Sequence, residues 1–305
     1  MQKISVNNAD IAFSGSKKPK KTLNVKESCA AYGASALVPV ATMPLSLAAM
    51  NKMQKTCDSL SIGQVESIKT SANTMLNQTG LAEKGVTIKR LSEDSVRTLA
   101  DSVDNKFYKK LIEFVDPISS TKSGKNAFFS PKEIFGLCNK NTVVLHENKL
   151  SLSVFHELGH AMNFNMSKVG KLLQKCRMPA MLIAGSLALF AAFSKESKAE
   201  DGKELTKGQK AKNFVRKNAG VLAFTSMLPI LAEEGMASIK GCLWANKNIA
   251  KDLAKKVAKT NAVAYTSYLL AAIGLGLSAH VAVKVKDKLV AKKEAKLASE
   301  LGKTN

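Results

Sequence analysis

The clearest chemical signal in the chain is a run of five residues, His156-Glu157-Leu158-Gly159-His160. They form the pattern H-E-x-x-H. On a helix, residues four apart lie on the same face about one turn from each other, so His156 and His160 can bind one metal ion. The glutamate between them can hold and deprotonate a water molecule on that ion. Zinc suits this chemistry because it lowers the pKa of its bound water towards about 7.

The residues before the motif predict that it lies on a helix that follows a strand. Residues 142–146 are rich in β-branched side chains and predict a strand, and residues 147–149 form a short polar link. Ser151 or Ser153 can then cap the helix. Zinc peptidases of the zincin type have this order of strand, short loop and H-E-x-x-H helix, which argues against a chance match. Gly159, which helix propensity disfavours by about 1 kcal/mol, predicts close approach by a neighbouring helix or by the metal site.

The charge of the chain points to anionic partners. Lysine and arginine number 46 against 24 aspartate and glutamate, a formal net charge of +22 over 305 residues. Such a balance suits nucleic acid or an anionic membrane surface. Only 6% of the residues are aromatic, the sequence has no zinc-finger, helix-turn-helix or RNA-binding signature, and its lysines lie beside apolar runs. We therefore expect membrane lipid, and no nucleic acid, as a partner.

The five cysteines are scattered and odd in number, with no C-x-x-C spacing. This usage argues against a disulfide framework and against thiolate zinc ligands, and it predicts buried, structural side chains. They are Cys29, Cys57, Cys138, Cys176 and Cys242. Residues 1–28 are polar and basic, show no signal-peptide pattern and are predicted to form a disordered head.

Four apolar stretches predict about three to four membrane helices. Residues 29–50 are long enough to cross a bilayer but contain two prolines, and they fit a transmembrane helix, a signal anchor or a hairpin on the membrane. The shorter runs 178–193 and 219–232 predict a hairpin over residues 178–232, either transmembrane or buried in a soluble protein. Residues 262–283 form the clearest transmembrane helix.

The other segments predict a mainly α-helical fold with a small β-sheet. Residues 51–177 form the predicted catalytic domain, a zincin-like α+β unit around the H-E-x-x-H helix. Its sheet is expected from strand patterns at 86–90, 126–130 and 142–146. Residues 284–305 carry lysine and alanine at helical spacing and predict a basic amphipathic tail on the membrane surface.

A catalytic zinc site uses three protein ligands, so the motif needs one more. The other histidines are His146 and His280, and no cysteine lies near the motif helix. A carboxylate is the remaining choice. Glu233 and Glu234 end an apolar run, where a charge is costly unless it has a function. Residues 233–261 are therefore predicted to be the third-ligand helix and its connection.

At three motifs the chain resembles the HtpX-like membrane zinc metallopeptidases, which include the CAAX prenyl endopeptidases and belong to the gluzincins. Residues 126–128, Asn-Ala-Phe, are similar to the N-A-F edge-strand motif of that family, and residues 156–160 match its H-E-x-x-H. Residues 234–238 are similar to its E-x-x-A-D, with Ser238 in place of the aspartate. The resemblance covers about residues 84–240, and the chain is identified as a divergent member.

The resemblance assigns roles to residues of this chain. It implies that His156, His160 and Glu234 are the zinc ligands and that Glu157 is the general base. Ser238 lies four residues after Glu234 on the same helical face, so it would support the ligands from behind.

The resemblance also implies how a substrate binds. Asn126 and Ala127 would hydrogen-bond an extended substrate by strand addition.

Glu233 points about 100° away from Glu234 on a helix and is expected at the membrane surface. The group that stabilises the oxyanion stays open among the side chains of Tyr265, Tyr268 and His146.

The sequence therefore predicts a zinc-dependent membrane endopeptidase that hydrolyses peptide or protein substrates with a zinc-activated water. The resemblance and the unpaired cysteines favour the bacterial plasma membrane, with the zinc site on its cytoplasmic side. Two alternatives stay open. One is a catalytically inactive zinc-binding membrane protein, or pseudo-protease. The other is a cationic membrane interaction protein in which the motif is accidental.

Overall fold

The computed structural model describes residues 25–91, 124, 127–133, 140–148, 151–199 and 203–301. Its helices are α1 (Val25–Asp58), α2 (Ile62–Gln78), α3 (Val154–Met166), α4 (Lys168–Phe193), α5 (Lys207–Lys217), α6 (Ala219–Ser226), α7 (Leu228–Asn248) and α8 (Lys251–Leu301). Its strands are β1 (Thr87–Leu91), β2 (Phe128–Ser130) and β3 (Thr142–His146). The described residues are thus mainly helical with a small sheet, as the sequence predicts.

Some predicted features fall outside the described residues. They include residues 1–24 of the predicted head, together with Asn126 and Cys138. The head was predicted to reach residue 28, but α1 already begins at Val25.

The sheet has its strands in the order β1-β3-β2, with β1 parallel and β2 antiparallel to β3. All residues of the central strand β3 are buried, which accounts for its continuous apolar and β-branched sequence. The predicted strand 142–146 has the predicted bounds, whereas the other two begin later than predicted, at Thr87 and Phe128. In the described parts of the chain no strand pairs with the outer edge of β2.

The sheet, α2, α3 and the first turns of α8 share one hydrophobic core. Phe155 and Leu158 of the motif helix are buried in it with Val143 of β3 and Leu253 of α8. A 3-10 turn leads directly into α3, and Ser153 at the start of the helix makes no capping hydrogen bond through its side chain. The motif helix is therefore held by its packing in this core and against its neighbouring helices rather than by a side-chain cap.

The helices α1, α4, α6 and α8 form a bundle whose interior consists largely of small side chains. Its alanines are Ala31, Ala180, Ala184, Ala188, Ala191, Ala192, Ala219, Ala223, Ala272, Ala279 and Ala282. A methyl group at Gly220 of α6 would lie 2.9 Å from the carbonyl oxygen of Gly276 in α8, so these helices touch. Larger side chains point outward, with Leu182 64% and Ile183 52% exposed. Small residues inside are typical of helices that pack in lipid.

Two described helices are long and apolar enough to cross a membrane, judged by length and composition. They are α4 and residues 251–300 of α8. In the most apolar window of each, 28% of the α4 residues and 39% of the α8 residues are buried inside the protein. Most of these residues are therefore only partly covered by the rest of the chain or exposed.

The other two predicted spans are not among the helices that meet this test. Residues 29–50 lie inside α1, which does not meet it. Residues 219–232 are divided between α6 and α7 at Met227. The division is expected because Pro229, in the first turn of α7, lacks the N–H that would extend α6. The prediction of three to four membrane helices is thus reduced to two candidates.

The predicted boundaries after residues 50, 177, 232, 261 and 283 fall inside the continuous helices α1, α4, α7 and α8. α8 runs for 51 residues, which at 1.5 Å per residue is about 77 Å. Residues 284–301 continue this helix rather than forming a separate surface helix. Lysine and alanine are both good helix formers, so the composition changes there without ending the helix.

No disulfide joins the four cysteines that the structure describes. Cys57 is buried and Cys176 and Cys242 are half-buried, but Cys29 is exposed. The expectation of buried cysteines is therefore wrong for Cys29.

Candidate metal centre

The two helices that form the site meet at glycines. A methyl group at Gly159 of α3 would overlap the backbone of Ala237 in α7, and one at Gly241 would lie 2.6 Å from the carbonyl oxygen of Phe155. α3 and α7 therefore approach to backbone contact. The sequence predicted that either a helix or the metal site approaches Gly159 closely, and in the structure the close neighbour is a helix. This crossing brings the histidines of α3 against the acidic pair of α7.

Three side-chain atoms from these helices converge on one point. Nε2 of His156 lies 3.1 Å from Oε2 of Glu234, and Nε2 of His160 lies 3.5 Å from the same oxygen. The two Nε2 atoms are 2.9 Å apart, and all three side chains are buried. Tetrahedral zinc with bonds of about 2.0–2.1 Å holds its ligand atoms about 3.3 Å apart, so a slight widening of this triangle fits the ion. Two imidazoles and one carboxylate are also a donor set of catalytic zinc sites.

The other ring nitrogen of each histidine contacts a residue of α7. Oγ of Ser238 lies 3.1 Å from Nδ1 of His156, and Oε1 of Glu233 lies 2.8 Å from Nδ1 of His160. Metal-binding histidines are usually oriented through the nitrogen that does not bind the ion. The structure thus brings Ser238 to one of the two histidines, and it adds Glu233 to the site.

The prediction that Glu233 lies at the membrane surface was wrong. Its side chain is fully buried. It accepts hydrogen bonds from Nδ2 of Asn163 at 3.0 Å and from Nε2 of Gln174 at 2.8 Å. The reason is that α7 packs against both α3 and α4. Two neighbouring side chains about 100° apart on α7 can therefore both be covered by protein.

Arg177 of α4 contacts both acidic residues. Its Nη1 donates to Oε2 of Glu233 at 2.7 Å and forms an ion pair with Oε1 of Glu234 at 2.6 Å. The sequence analysis assigned neither Arg177 nor Asn163 to the site. The sequence could have indicated Asn163, because it lies seven residues after His156 and therefore on the same helical face. It could not have indicated Arg177, which is one of several basic residues before an apolar run.

The buried charges of the site shift one another's pKa. Burial raises the pKa of Glu157. Burial also opposes the charge of Glu233, but His160 and Arg177 outweigh it and lower its pKa to about 2. The pKa of Glu234 is lowered well below its usual value against the same opposing effect of burial, chiefly by His160. Both carboxylates of α7 therefore stay charged, as a metal ligand and its neighbour must.

Glu157 and His160 face a cavity of about 620 Å³ between β2 and α4. Ala127 and Phe128 line it on the side of the sheet, and Tyr268 of α8 lines it on the other side. The carboxylate of Glu157 is buried, and one of its oxygens lies within 4.8 Å of a ring nitrogen of His156 and of His160. The site therefore has a buried carboxylate beside the two histidines and space for another molecule in front of them.

The three oxyanion candidates have different surroundings. Tyr268 lines the cavity, whereas Tyr265 and His146 are not among its lining residues in the described part of the chain. His146 ends β3, and its Nδ1 accepts a hydrogen bond from the backbone N–H of Asn148 at 3.0 Å. Of the three, Tyr268 is the one that a molecule in the cavity can touch.

A search with protein-family models finds none that matches the chain, and comparisons with curated proteins and with solved structures find no match either. The similarity to HtpX-like metallopeptidases therefore rests on the three sequence motifs. The buried histidine and glutamate groups could hold a metal ion on their geometry alone.

Proposed function

We propose that this protein is a zinc-dependent endopeptidase that acts at a membrane. The observation that supports this most directly is the convergence of Nε2 of His156, Nε2 of His160 and Oε2 of Glu234 on one point. Glu157 lies beside that point and faces the same cavity. A peptidase of this type needs three protein ligands, an open position and a general base.

The chemistry divides among the side chains as follows. His156, His160 and Glu234 would hold zinc, which when bound supplies a Lewis acid that activates water and polarises a peptide carbonyl. Glu157 takes the proton of the attacking water and later gives it to the leaving amine. The carbonyl carbon gains a hydroxyl group, the C–N bond breaks and the amine leaves protonated. Tyr268 is our choice for the group that stabilises the oxyanion, because it lines the cavity.

The position of β2 supports binding of an extended peptide. β2 is a short strand at one edge of the sheet, and Ala127 and Phe128 line the cavity next to Glu157. An extended segment can pair with such an edge through its backbone, which places peptide bonds in front of the base. We therefore keep Asn126 and Ala127 as the residues that bind the substrate backbone.

The relation of the site to α4 supports action at a membrane. Arg177, which contacts the acidic pair, is followed directly by the apolar part of α4. The proposed metal centre therefore lies close to the start of the apolar part of α4, the part that would enter the membrane. That this membrane is the bacterial plasma membrane, with the site on its cytoplasmic side, is part of the proposal and rests on the resemblance and the cysteines.

The test is a paired measurement of zinc content and peptide hydrolysis. Glu157→Gln should abolish hydrolysis and leave zinc bound, because glutamine keeps the size of the side chain and loses the base. Glu147→Gln, a change at an exposed glutamate after β3, is the matched control and should change neither. Zinc bound without hydrolysis in the wild-type protein would support the pseudo-protease instead. Absence of zinc binding in the wild-type protein would make the motif accidental.

A further inference from the structure

Arg177 stands apart from the other basic residues of the chain because its charge lies against two buried carboxylates. The side chains of Glu233 and Glu234 have no exposed area, and that of Arg177 is 29% exposed. The guanidinium also lies 5.8 Å from the ring centre of Tyr268. Two neighbouring carboxylates in a buried site repel each other unless a cation compensates them.

Arg177 compensates the charge of the acidic pair directly. Glu233 and Glu234 carry two neighbouring carboxylates into one buried region. Arg177 is the one arginine or lysine that contacts either of them within the described part of the chain. It therefore links α4 to both carboxylates of α7.

The two oxygens of Glu234 face different groups. Oε1 lies 2.6 Å from Nη1 of Arg177 in an ion pair. Oε2 lies near the Nε2 atoms of His156 and His160. The hydrogen bond that Nη1 of Arg177 donates has Oε2 of Glu233 as its acceptor, and this bond holds the guanidinium in place. The cation thus occupies one oxygen of the ligand and leaves the other for the metal.

We propose that Arg177 is a positioning residue that holds Glu234 as a one-oxygen metal ligand, and that Glu233 holds Arg177 and His160 in turn. This inference rests on the proposed zinc site but not on peptidase activity. It makes α4, a candidate membrane helix, part of the support of the metal centre. Lysine keeps the charge of the arginine, and a single ammonium can replace its contacts in part, because both are made by the one nitrogen Nη1.

The first test compares Arg177→Met with Lys175→Met in the purified full-length protein. Lys175 is a matched control because it lies on the same helix, lines the same cavity and pairs with Glu133 instead of the acidic pair. Zinc affinity is measured by competition with a chromophoric chelator. Arg177→Met should lose about 10–100-fold in affinity, the usual effect of removing a partner of a ligand. Lys175→Met should bind as the wild type does.

A spectroscopic readout reports the ligand geometry itself. With cobalt(II) in place of zinc, the visible spectrum of the wild type should be that of a low-coordinate site. In Arg177→Met, Glu234 is free to bind with both oxygens, so the bands should weaken as the coordination number rises. Equal zinc affinity and an unchanged cobalt spectrum in Arg177→Met would overturn the proposal. A wild-type protein that binds no zinc would instead overturn the proposed function.

A double-mutant cycle separates positioning from simple charge compensation. In a Glu233→Gln background, Arg177→Met should still weaken zinc binding, because Glu234 still loses its partner. If the loss disappears in that background, Arg177 is only a counter-ion of Glu233 and the proposal fails. Arg177→Lys keeps the charge and provides a variant that folds if Arg177→Met does not. Its zinc affinity should lie between those of the wild type and Arg177→Met, and an affinity as low as that of Arg177→Met would contradict a role for the positive charge beside Glu234.

Discussion

At the scale of single residues, each histidine of the motif has a partner on both ring nitrogens. Their Nε2 atoms face Glu234, and their Nδ1 atoms face Ser238 and Glu233. Such pairing fixes the orientation of both rings. The same α7 helix supplies all three partners, so the positions of both imidazoles depend on the placement of one helix.

We predict that Glu234→Ala loses most of the bound zinc and that Glu233→Ala weakens zinc binding by about 10–100-fold. The first change removes a ligand. The second leaves His160 and Arg177 without a shared carboxylate, although no ligand is lost. The measurement is zinc affinity of the purified variants, with Glu147→Ala as a surface control. Wild-type affinity in Glu233→Ala would show that its contacts do not support the metal site.

The sequence was informative about the site where the pattern is local. The spacing of His156 and His160 needs only one helix, and the cost of a charge after an apolar run was enough to single out the acidic pair. The burial of Glu233 could not be predicted, because it depends on α3 and α4 both packing against α7. Arg177 could not be predicted either, since nothing in its neighbours along the chain shows which way its side chain turns.

At the scale of elements, the site depends on how closely α3 and α7 cross. Gly159 and Gly241 lie at that crossing, and neither leaves room for a side chain. Glycine lowers helix propensity by about 1 kcal/mol relative to alanine. Its presence in a buried helix therefore indicates that close approach matters more here than helix propensity.

Gly159→Ala should destabilise the protein by about 1–3 kcal/mol and weaken zinc binding, because the new methyl group forces α3 and α7 apart. Gly185→Ala is the control. Gly185 also lies within a helix, α4, but has no atom within 4 Å of the added methyl group. That change should be neutral or slightly stabilising, by up to about 1 kcal/mol. Thermal unfolding in detergent and zinc affinity measure both effects. Equal stability of the two variants would contradict the importance of the crossing.

The strands and helices were predictable to different degrees. The central strand 142–146 begins with three β-branched residues and is buried on both faces, and its bounds were predicted correctly. The break at Met227 was not predicted, because the prediction for residues 219–232 rested on the absence of charge and did not use Pro229. The long helix α8 was divided in the prediction at residue 283, where the composition changes but no helix-breaking residue occurs.

At the scale of the whole molecule, the bundle has small residues inside and large apolar ones outside. Alanines fill the contacts between α4, α6 and α8, while Leu182 and Ile183 face outward. A water-soluble protein normally buries its largest apolar side chains. The outer surface of the bundle is therefore suited to contact with lipid. A hydropathy average along the sequence does not show this, because it does not tell which side chains face the interior and which face outward.

Brominated lipid should quench the fluorescence of a tryptophan placed on this surface. The native protein has a single tryptophan, Trp244, which packs against the core around the sheet. In nanodiscs, Leu182→Trp in a Trp244→Phe background should be strongly quenched, and the native Trp244 should be quenched weakly. The difference follows because bromine quenches only over short distances. Equally weak quenching of both tryptophans would show that α4 is not in contact with lipid.

The length of α8 has a structural consequence. The helix contributes Tyr268 to the wall of the cavity and donates a hydrogen bond from Asn261 to the backbone of Ser238. Its far end at Leu301 is 33 residues beyond Tyr268, about 50 Å along the axis. The segment between these points contains no proline and packs along α1, so the helix joins its lysine-rich end to the wall of the cavity without an interruption.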